Sequence, residues 1–141
     1  ELIIENLREI LEVNLFGTAD FTEKMLPNII SKGRIAFTSS TAGSISEADY
    51  KTHSHHPNQY PAYKISKAAL NMYMRTLAMR LEHDERGITV ASIHPGWVRT
   101  DMGGEDAPIS PQEAADHMFA TLTRDDLETG QFWFNGEKYP W

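Results

Sequence analysis

Each β-type run in this sequence follows a segment with helical periodicity, and that alternation confines the chain to a parallel sheet crossed by helices. Residues 4–30 carry Leu7, Ile10 and Leu11 on a helical stripe, and Pro27, which lacks a backbone donor, bends or breaks the segment near its end. Gly33 then opens Arg34, Ile35, Ala36, Phe37 and Thr38, an unbroken β-favouring run that predicts a strand over residues 35–39, covered on both faces. The clearest helix spans residues 60–83, with Leu70, Met74, Leu77 and Leu81 on one face and alanines at 62, 68, 69 and 78 keeping it slim. Gly87 stops it, and the alternating, β-branched residues 88–93 predict the next strand. Ser110, Pro111 and Glu113 form the signature of a capped helix start. Residues 131–134 read as a last strand ending in a turn at Asn135 and Gly136. The expected class is therefore α/β, a mainly parallel sheet with flanking helices, in a single domain over residues 1–141.

Composition narrows the function classes. A chain of 141 residues with 40% apolar residues supports one core. A net charge of −7 offers no basic surface for phosphates, which argues against nucleic acid and for small-molecule partners. The sequence has no cysteine, so disulfide and thiolate chemistry are excluded. With neither a long apolar run nor a signal-type segment, the reading is a protein of the cytoplasm with no membrane partner. Residue 1 is Glu, and the helical stripe is already running at Leu2 and Ile3, so the expectation is that sequence is missing upstream.

Three places concentrate chemistry. Tyr63 and Lys67 stand four apart on the strong helix, so their side chains can act on one molecule. A phenol is a poor proton donor or acceptor at neutral pH, but an ammonium held beside it stabilises the phenolate. Tyr-x-x-x-Lys is common on helices, and Tyr60 with Lys64 repeats the spacing. Tyr60 precedes Pro61 and belongs to the helix entry, whereas small residues follow Lys67, which favours the later pair. The second place is the hydroxyl-rich run from Thr38 to Gly43 at the carboxyl end of a strand, where parallel sheets bind ligands; Ser40 suits an oxyanion role there, although simple turn capping accounts for many such clusters. The third is the loop His94, Pro95, Gly96, Trp97, Val98, Arg99, Thr100, expected at the same sheet edge.

Taken in order, Asn14 in its Val-Asn-Leu-Phe-Gly context, Ser40, Tyr63 with Lys67, and the Pro95, Gly96, Val98 and Thr100 loop resemble the short-chain dehydrogenase/reductase family. Within it, the run from His94 to Gly104, residues 107–110 and the closing Tyr139, Pro140 and Trp141 are most similar to carbonyl reductases of the sniffer and C-factor type. The resemblance implies the C-terminal part of a Rossmann-like, doubly wound domain and hydride transfer between a nicotinamide and a carbonyl or alcohol substrate. By the same resemblance Tyr63 passes the proton and also borders the cofactor, Ser40 holds the substrate oxygen, and Lys67 supports the tyrosine and binds the nicotinamide ribose. Asn14 then keeps a water in a proton relay, and Pro95, Gly96, Val98 and Thr100 border the carboxamide. NADP(H) is the favoured cofactor and NAD(H) the alternative, and a homodimer or homotetramer is the implied assembly. Two rival readings are a short-chain-family epimerase or dehydratase, and a catalytically silent dinucleotide-binding interaction protein.

Departures from the family pattern shape further expectations. No Gly-x-x-x-Gly-x-Gly turn is present to hold a pyrophosphate, so the dinucleotide-binding strands are expected upstream of Glu1. Ser40 and Tyr63 are 23 positions apart, and the polar residues 43–59 between them read as a loop over the substrate. His53, His55 and His56 in that loop lack a supporting ligand pattern, so no metal is expected. Met72, Met74 and Met79, with Leu70 and Leu77, exceed what one core stripe needs, which points to a second apolar face on the long helix, with simple core packing as the plainer alternative.

Overall fold

The computed structural model describes residues 1–48 and 60–141. The chain opens with α1 (Ile4–Leu11), continues without interruption through a π-helical turn (Glu12–Gly17) into α2 (Thr18–Met25), and tightens into a 3₁₀ turn (Leu26–Asn28). Pro27 sits within that last turn, so the bend falls where its missing N–H places it. Strand β1 (Arg34–Thr38), α3 (Pro61–Leu81), β2 (Thr89–His94), α4 (Pro111–Leu122), β3 (Gln131–Phe134) and β4 (Glu137–Lys138) follow.

The sheet has the order β1, β2, β3, β4. β1 and β2 are parallel, β2 and β3 are parallel, and only the short β4 runs antiparallel. The connection from β3 to β4 is a two-residue hairpin in which Asn135 (φ 50°) and Gly136 (φ 77°) both take left-handed backbone, the pair of conformations a type I′ turn demands. Sequence reasoning places the turn correctly but stops short of the strand that it folds back.

Helices lie on both faces. On one, Leu70, Met74, Leu77 and Leu81 of α3 pack with Phe37, Ile88, Val90 and Leu26. On the other, Met118 and Leu122 of α4 pack against Ala91, Ile93, Leu127 and Trp133. Each fully buried aliphatic or aromatic side chain in these layers contributes roughly 1.5–3 kcal/mol. Ser110 caps α4 as its sequence predicts: its Oγ accepts from the Glu113 N–H at 3.2 Å, and the Glu113 carboxylate accepts from the Ser110 N–H at 2.7 Å.

One expectation is corrected. β1 runs from Arg34 to Thr38, and only Phe37 and, in part, Ile35 are covered, while Arg34, Ala36 and Thr38 are exposed. The physical reason is where the apolar face of α4 lies: Met118 and Leu122 cover β2 and β3, and at β1 the helix meets only the Arg34 guanidinium, through the Leu122 carbonyl; the strand covered on both faces is β2, where Val90, Ala91, Ser92 and Ile93 are all buried.

Candidate active site

Helix α3 enters through Tyr60, which holds left-handed backbone (φ 57°, ψ 47°) immediately before Pro61. An aromatic residue there is strained by about 1 kcal/mol or more, and the ring remains largely in solvent. Three residues on, Tyr63 faces the same side of the helix as Lys67. The Lys67 ammonium lies 5.6 Å from the centre of the Tyr63 ring and donates to the Thr38 carbonyl at 2.9 Å. Thr38 is the last residue of β1, so this one side chain ties the helix to the strand end. Burial takes water from the ammonium and lowers its pKa below the ordinary lysine value.

Ser40 follows β1 by two residues and caps a 3₁₀ turn (Thr41–Gly43), its Oγ accepting from the Ala42 N–H at 3.1 Å. The functional role and the turn-capping role of this serine are thus compatible. Because the N–H occupies an acceptor site, the Ser40 hydroxyl proton is left to be donated elsewhere. Gly43 brings this turn onto α3: a Cβ placed on it would stand 2.7 Å from the Lys67 carbonyl carbon and 2.8 Å from the Ala68 nitrogen. No side chain fits that space. Beside it, the buried Ser39 hydroxyl donates to Asn71 Oδ1 at 2.6 Å, a second tie between the strand end and α3.

Asn14 lies in the π-helical turn, where sequence periodicity predicts ordinary helix. Its Nδ2 donates to Ser66 Oγ at 3.0 Å, and Ser66 Oγ donates to the Tyr63 carbonyl at 2.8 Å. Ser66 is fully buried, so this chain of two bonds runs through the interior from the first helical segment to the backbone of the proposed catalytic tyrosine.

β2 ends at His94, and the Ser39 N–H donates to the Ile93 carbonyl at 2.9 Å, so the segments after β1 and β2 leave the sheet together. Pro95 begins the second segment and Gly96 bends it at φ 93°, where a Cβ would meet Ile109 at 2.7 Å. Val98 pairs with Ile109 in a parallel bridge. Thr100 donates from Oγ1 to the Val98 carbonyl at 3.4 Å and accepts from the Gly103 N–H at 3.1 Å, while Trp97 Nε1 donates to the Gly103 carbonyl at 2.8 Å. The loop therefore holds its own shape, with Thr100 exposed at its surface.

Asn14, Ser40, Tyr63 and Lys67 are thus linked through α3, and Pro95 and Gly96 share their sheet edge. Sequence reasoning overlooks Gly43, Ser66, Asn71 and the Thr38 carbonyl. The signal for Gly43 lies in its run of small residues, whereas a main-chain acceptor leaves no signal at all. The expected cover over the substrate and the three loop histidines fall mostly on residues 49–59, outside the described residues. Among the described residues no group of His, Cys, Asp and Glu could hold a metal, and no helix is long and apolar enough to cross a membrane.

Comparison with known proteins gives the family. A family model described as short chain dehydrogenase matches residues 1–109. The C-signal protein of Myxococcus xanthus is 32% identical over 92% of this chain and 75% of its own length. Among solved structures, the NADPH-bound carbonyl reductase from chicken fatty liver is 29% identical, with a TM-score of 0.82 over 99% of this chain and 59% of that one. The carbonyl reductase Sniffer of D. melanogaster is 25% identical, with a TM-score of 0.80 and the same two coverages, 99% and 59%. The chain thus spans about three fifths of the reductases it resembles. With its tyrosine and lysine one above the other on α3, beside the serine-bearing end of β1, the chain belongs to the short-chain dehydrogenase/reductase family.

Proposed function

We propose that the chain carries the proton-transfer half of an NADP(H)-dependent carbonyl reductase. The observation that carries this reading is the position of Lys67, against the Tyr63 ring and hydrogen-bonded to the end of β1 beside Ser40. NADP(H) is favoured over NAD(H) through the likeness to the NADPH-bound reductase.

The residues suit the nicotinamide end of such a cofactor. Lys67 gives one of its three protons to Thr38 and keeps two for ribose hydroxyls. Pro95, Gly96 and Val98 shape a loop at the same edge, with Thr100 exposed and its Oγ1 keeping one lone pair to accept from a carboxamide N–H. When bound, the reduced nicotinamide supplies a hydride to the carbonyl carbon. Tyr63 donates its phenolic proton to the carbonyl oxygen as charge develops there, and the alcohol is the product. Ser40, its Oγ oriented by Ala42 N–H, donates to the same oxygen and holds the carbonyl in place. The Lys67 ammonium stabilises the phenolate that Tyr63 leaves, and Asn14, fixed by Ser66, keeps the water through which the proton is restored.

In this reading the assembled protein is a homodimer or homotetramer of the cytoplasm. Exposed Val13, Phe16, Met72 and Met79 on the first helical segment and α3 support the assembly. The test is NADPH oxidation followed by absorbance in the presence of aliphatic and aromatic carbonyls. The expected result is turnover by the unsubstituted protein that Tyr63→Phe abolishes. Equal turnover by Tyr63→Phe overturns the reading.

A further inference from the structure

Residues 139–141 take part in neither the sheet nor the proton-transfer group, yet they are tied to both sides of the site. The Tyr139 N–H donates to the Phe132 carbonyl at 2.8 Å, which turns the chain back along β3. The Tyr139 ring then stands edge-on to Phe132 (5.4 Å between centres) and to Phe134 (6.0 Å), and the Trp141 ring lies nearly parallel to Phe132 at 5.9 Å. Phe134 in turn rests on the His94 ring at 4.7 Å, and a Cβ on Gly96 would come 3.9 Å from it. This aromatic row therefore leads to the loop that begins with Pro95.

Its other end meets the segment after Ser40. The Ser46 N–H donates to the Trp141 carbonyl at 2.6 Å. Among the described residues, 44–48 are further braced by near neighbours in sequence: Ser44 Oγ accepts the Glu47 N–H at 3.3 Å and meets the Ser46 hydroxyl at 3.4 Å, the Ser44 N–H donates to the Thr41 carbonyl at 3.0 Å, and the Ala48 N–H to the Ile45 carbonyl at 3.2 Å. Burial, with a smaller contribution from the charge of Glu47, raises the pKa of the Tyr139 hydroxyl. Gly43, one residue before this segment, is the residue packed onto α3 at Lys67.

We infer that Trp141, seated by Tyr139 and Phe132, is a specificity-determining residue: by holding residues 44–48, the segment that follows the Ser40 turn, it makes them a fixed wall against a substrate bound at Ser40 and so selects carbonyl substrates by bulk. The inference rests on the reductase reading above. A fixed wall admits a carbonyl with small substituents and rejects a broad one, while the cofactor side, bordered by Pro95 and Gly96, keeps its own support from Ile109.

The experiment compares kcat/KM for a small aliphatic aldehyde and for a bulky aryl ketone, together with the Kd for NADPH, in the full-length protein and three variants. Trp141→Ala removes the seated ring, and Trp141→Phe restores an aromatic there. Ser46→Pro deletes the N–H donor, and it stands at the second position of the turn closed by Ala48, a place proline readily takes. The expected result is a shift of the ketone to aldehyde ratio by about tenfold in Trp141→Ala and in Ser46→Pro, expressed mainly in KM and reversed in Trp141→Phe, with Kd for NADPH unchanged. An unchanged ratio in Ser46→Pro, or a fall common to both substrates, overturns the inference, and Ser46→Pro answers the question even when Trp141→Ala does not fold. Absence of carbonyl reduction by the unsubstituted protein overturns instead the reading on which the inference rests, and bound NADPH distinguishes that outcome from an inactive preparation.

Discussion

Gly43 and Lys67 approach so closely that a Cβ on the glycine would stand 2.8 Å from the Cβ of the lysine. The obstructing atoms include the main chain of α3, which cannot swing aside as a side-chain tip can. Gly43→Ala is therefore expected to separate the Ser40 turn from the helix, costing about 1–3 kcal/mol of stability and most of the turnover. Thermal unfolding and NADPH-dependent carbonyl reduction measure the two effects, and wild-type values in both would remove the close approach from the account.

Tyr63→Phe keeps the ring against Lys67 and removes only the transferable proton. The expected loss in kcat is about 10²–10⁴-fold, with NADPH affinity preserved because Lys67 and the Pro95 loop remain. A variant that loses cofactor binding in parallel would assign Tyr63 to the binding surface instead of the chemistry.

The pH profile should carry the mark of Lys67. Burial lowers its pKa, so the supporting positive charge is lost as pH rises through a value below the usual 10.5. Activity that depends on this charge falls along an alkaline limb with its midpoint under that figure. Lys67→Arg, whose charge persists, moves the limb upward even where it lowers the maximal rate. The sign for stability is separate: burying the charged form opposes folding at neutral pH, and this opposition is relieved as pH rises from the lowered pKa to the ordinary lysine value.

Ser39 and Asn71 should behave as a coupled pair. Ser39→Ala leaves the buried Asn71 Oδ1 without its donor at a cost of about 1–3 kcal/mol, whereas replacing both residues by apolar ones of matched size recovers much of that loss. A double-mutant cycle by chemical denaturation measures the coupling, and strict additivity would show that the two do not interact.

Glu23 joins α2 to α3 by accepting from Arg80 at 2.8 Å on both carboxylate oxygens and from the Tyr73 hydroxyl at 3.0 Å. Burial, with the carboxylate beside it, pushes Tyr73 up to about 12. The Glu23 carboxyl lies below the ordinary 4.5, chiefly because of Arg80, so its contribution is present above that value and lost as pH falls through the lowered one. The pair is well exposed, and Glu23→Gln should cost only about 0.5 kcal/mol at neutral pH and less in acid. Ultraviolet titration of the phenols is expected to bring Tyr73 down in that variant.

The legible parts of the molecule were those written in side chains along one element. The α3 stripe, the Ser110 capping box and the Asn135-Gly136 turn each state their geometry locally, and each is found where the sequence places it. The order of Asn14, Ser40, Tyr63, Lys67 and the Pro95 loop identifies the family for the same reason. What escaped were relations between elements. The Thr38 carbonyl that receives Lys67 is main chain and common to every residue type, and the Ser39 to Asn71 bond joins positions 32 apart. The exposed face of β1 escaped because it depends on where the apolar face of α4 lies, which no strand sequence records.

The π-helical turn at Glu12–Gly17 carries one residue more than an α-helix needs for the same advance along its axis. Geometrically it is one extra residue absorbed without breaking the helix, and its phase is what turns Asn14 toward Ser66. A one-residue deletion anywhere in that turn would restore a regular helix and rotate every residue on one side of it by about 100° relative to the other. Length is therefore constrained in this segment more tightly than identity: conservative exchanges at the exposed Glu12 or Val13 leave the phase intact, whereas a lost codon swings Asn14 off Ser66.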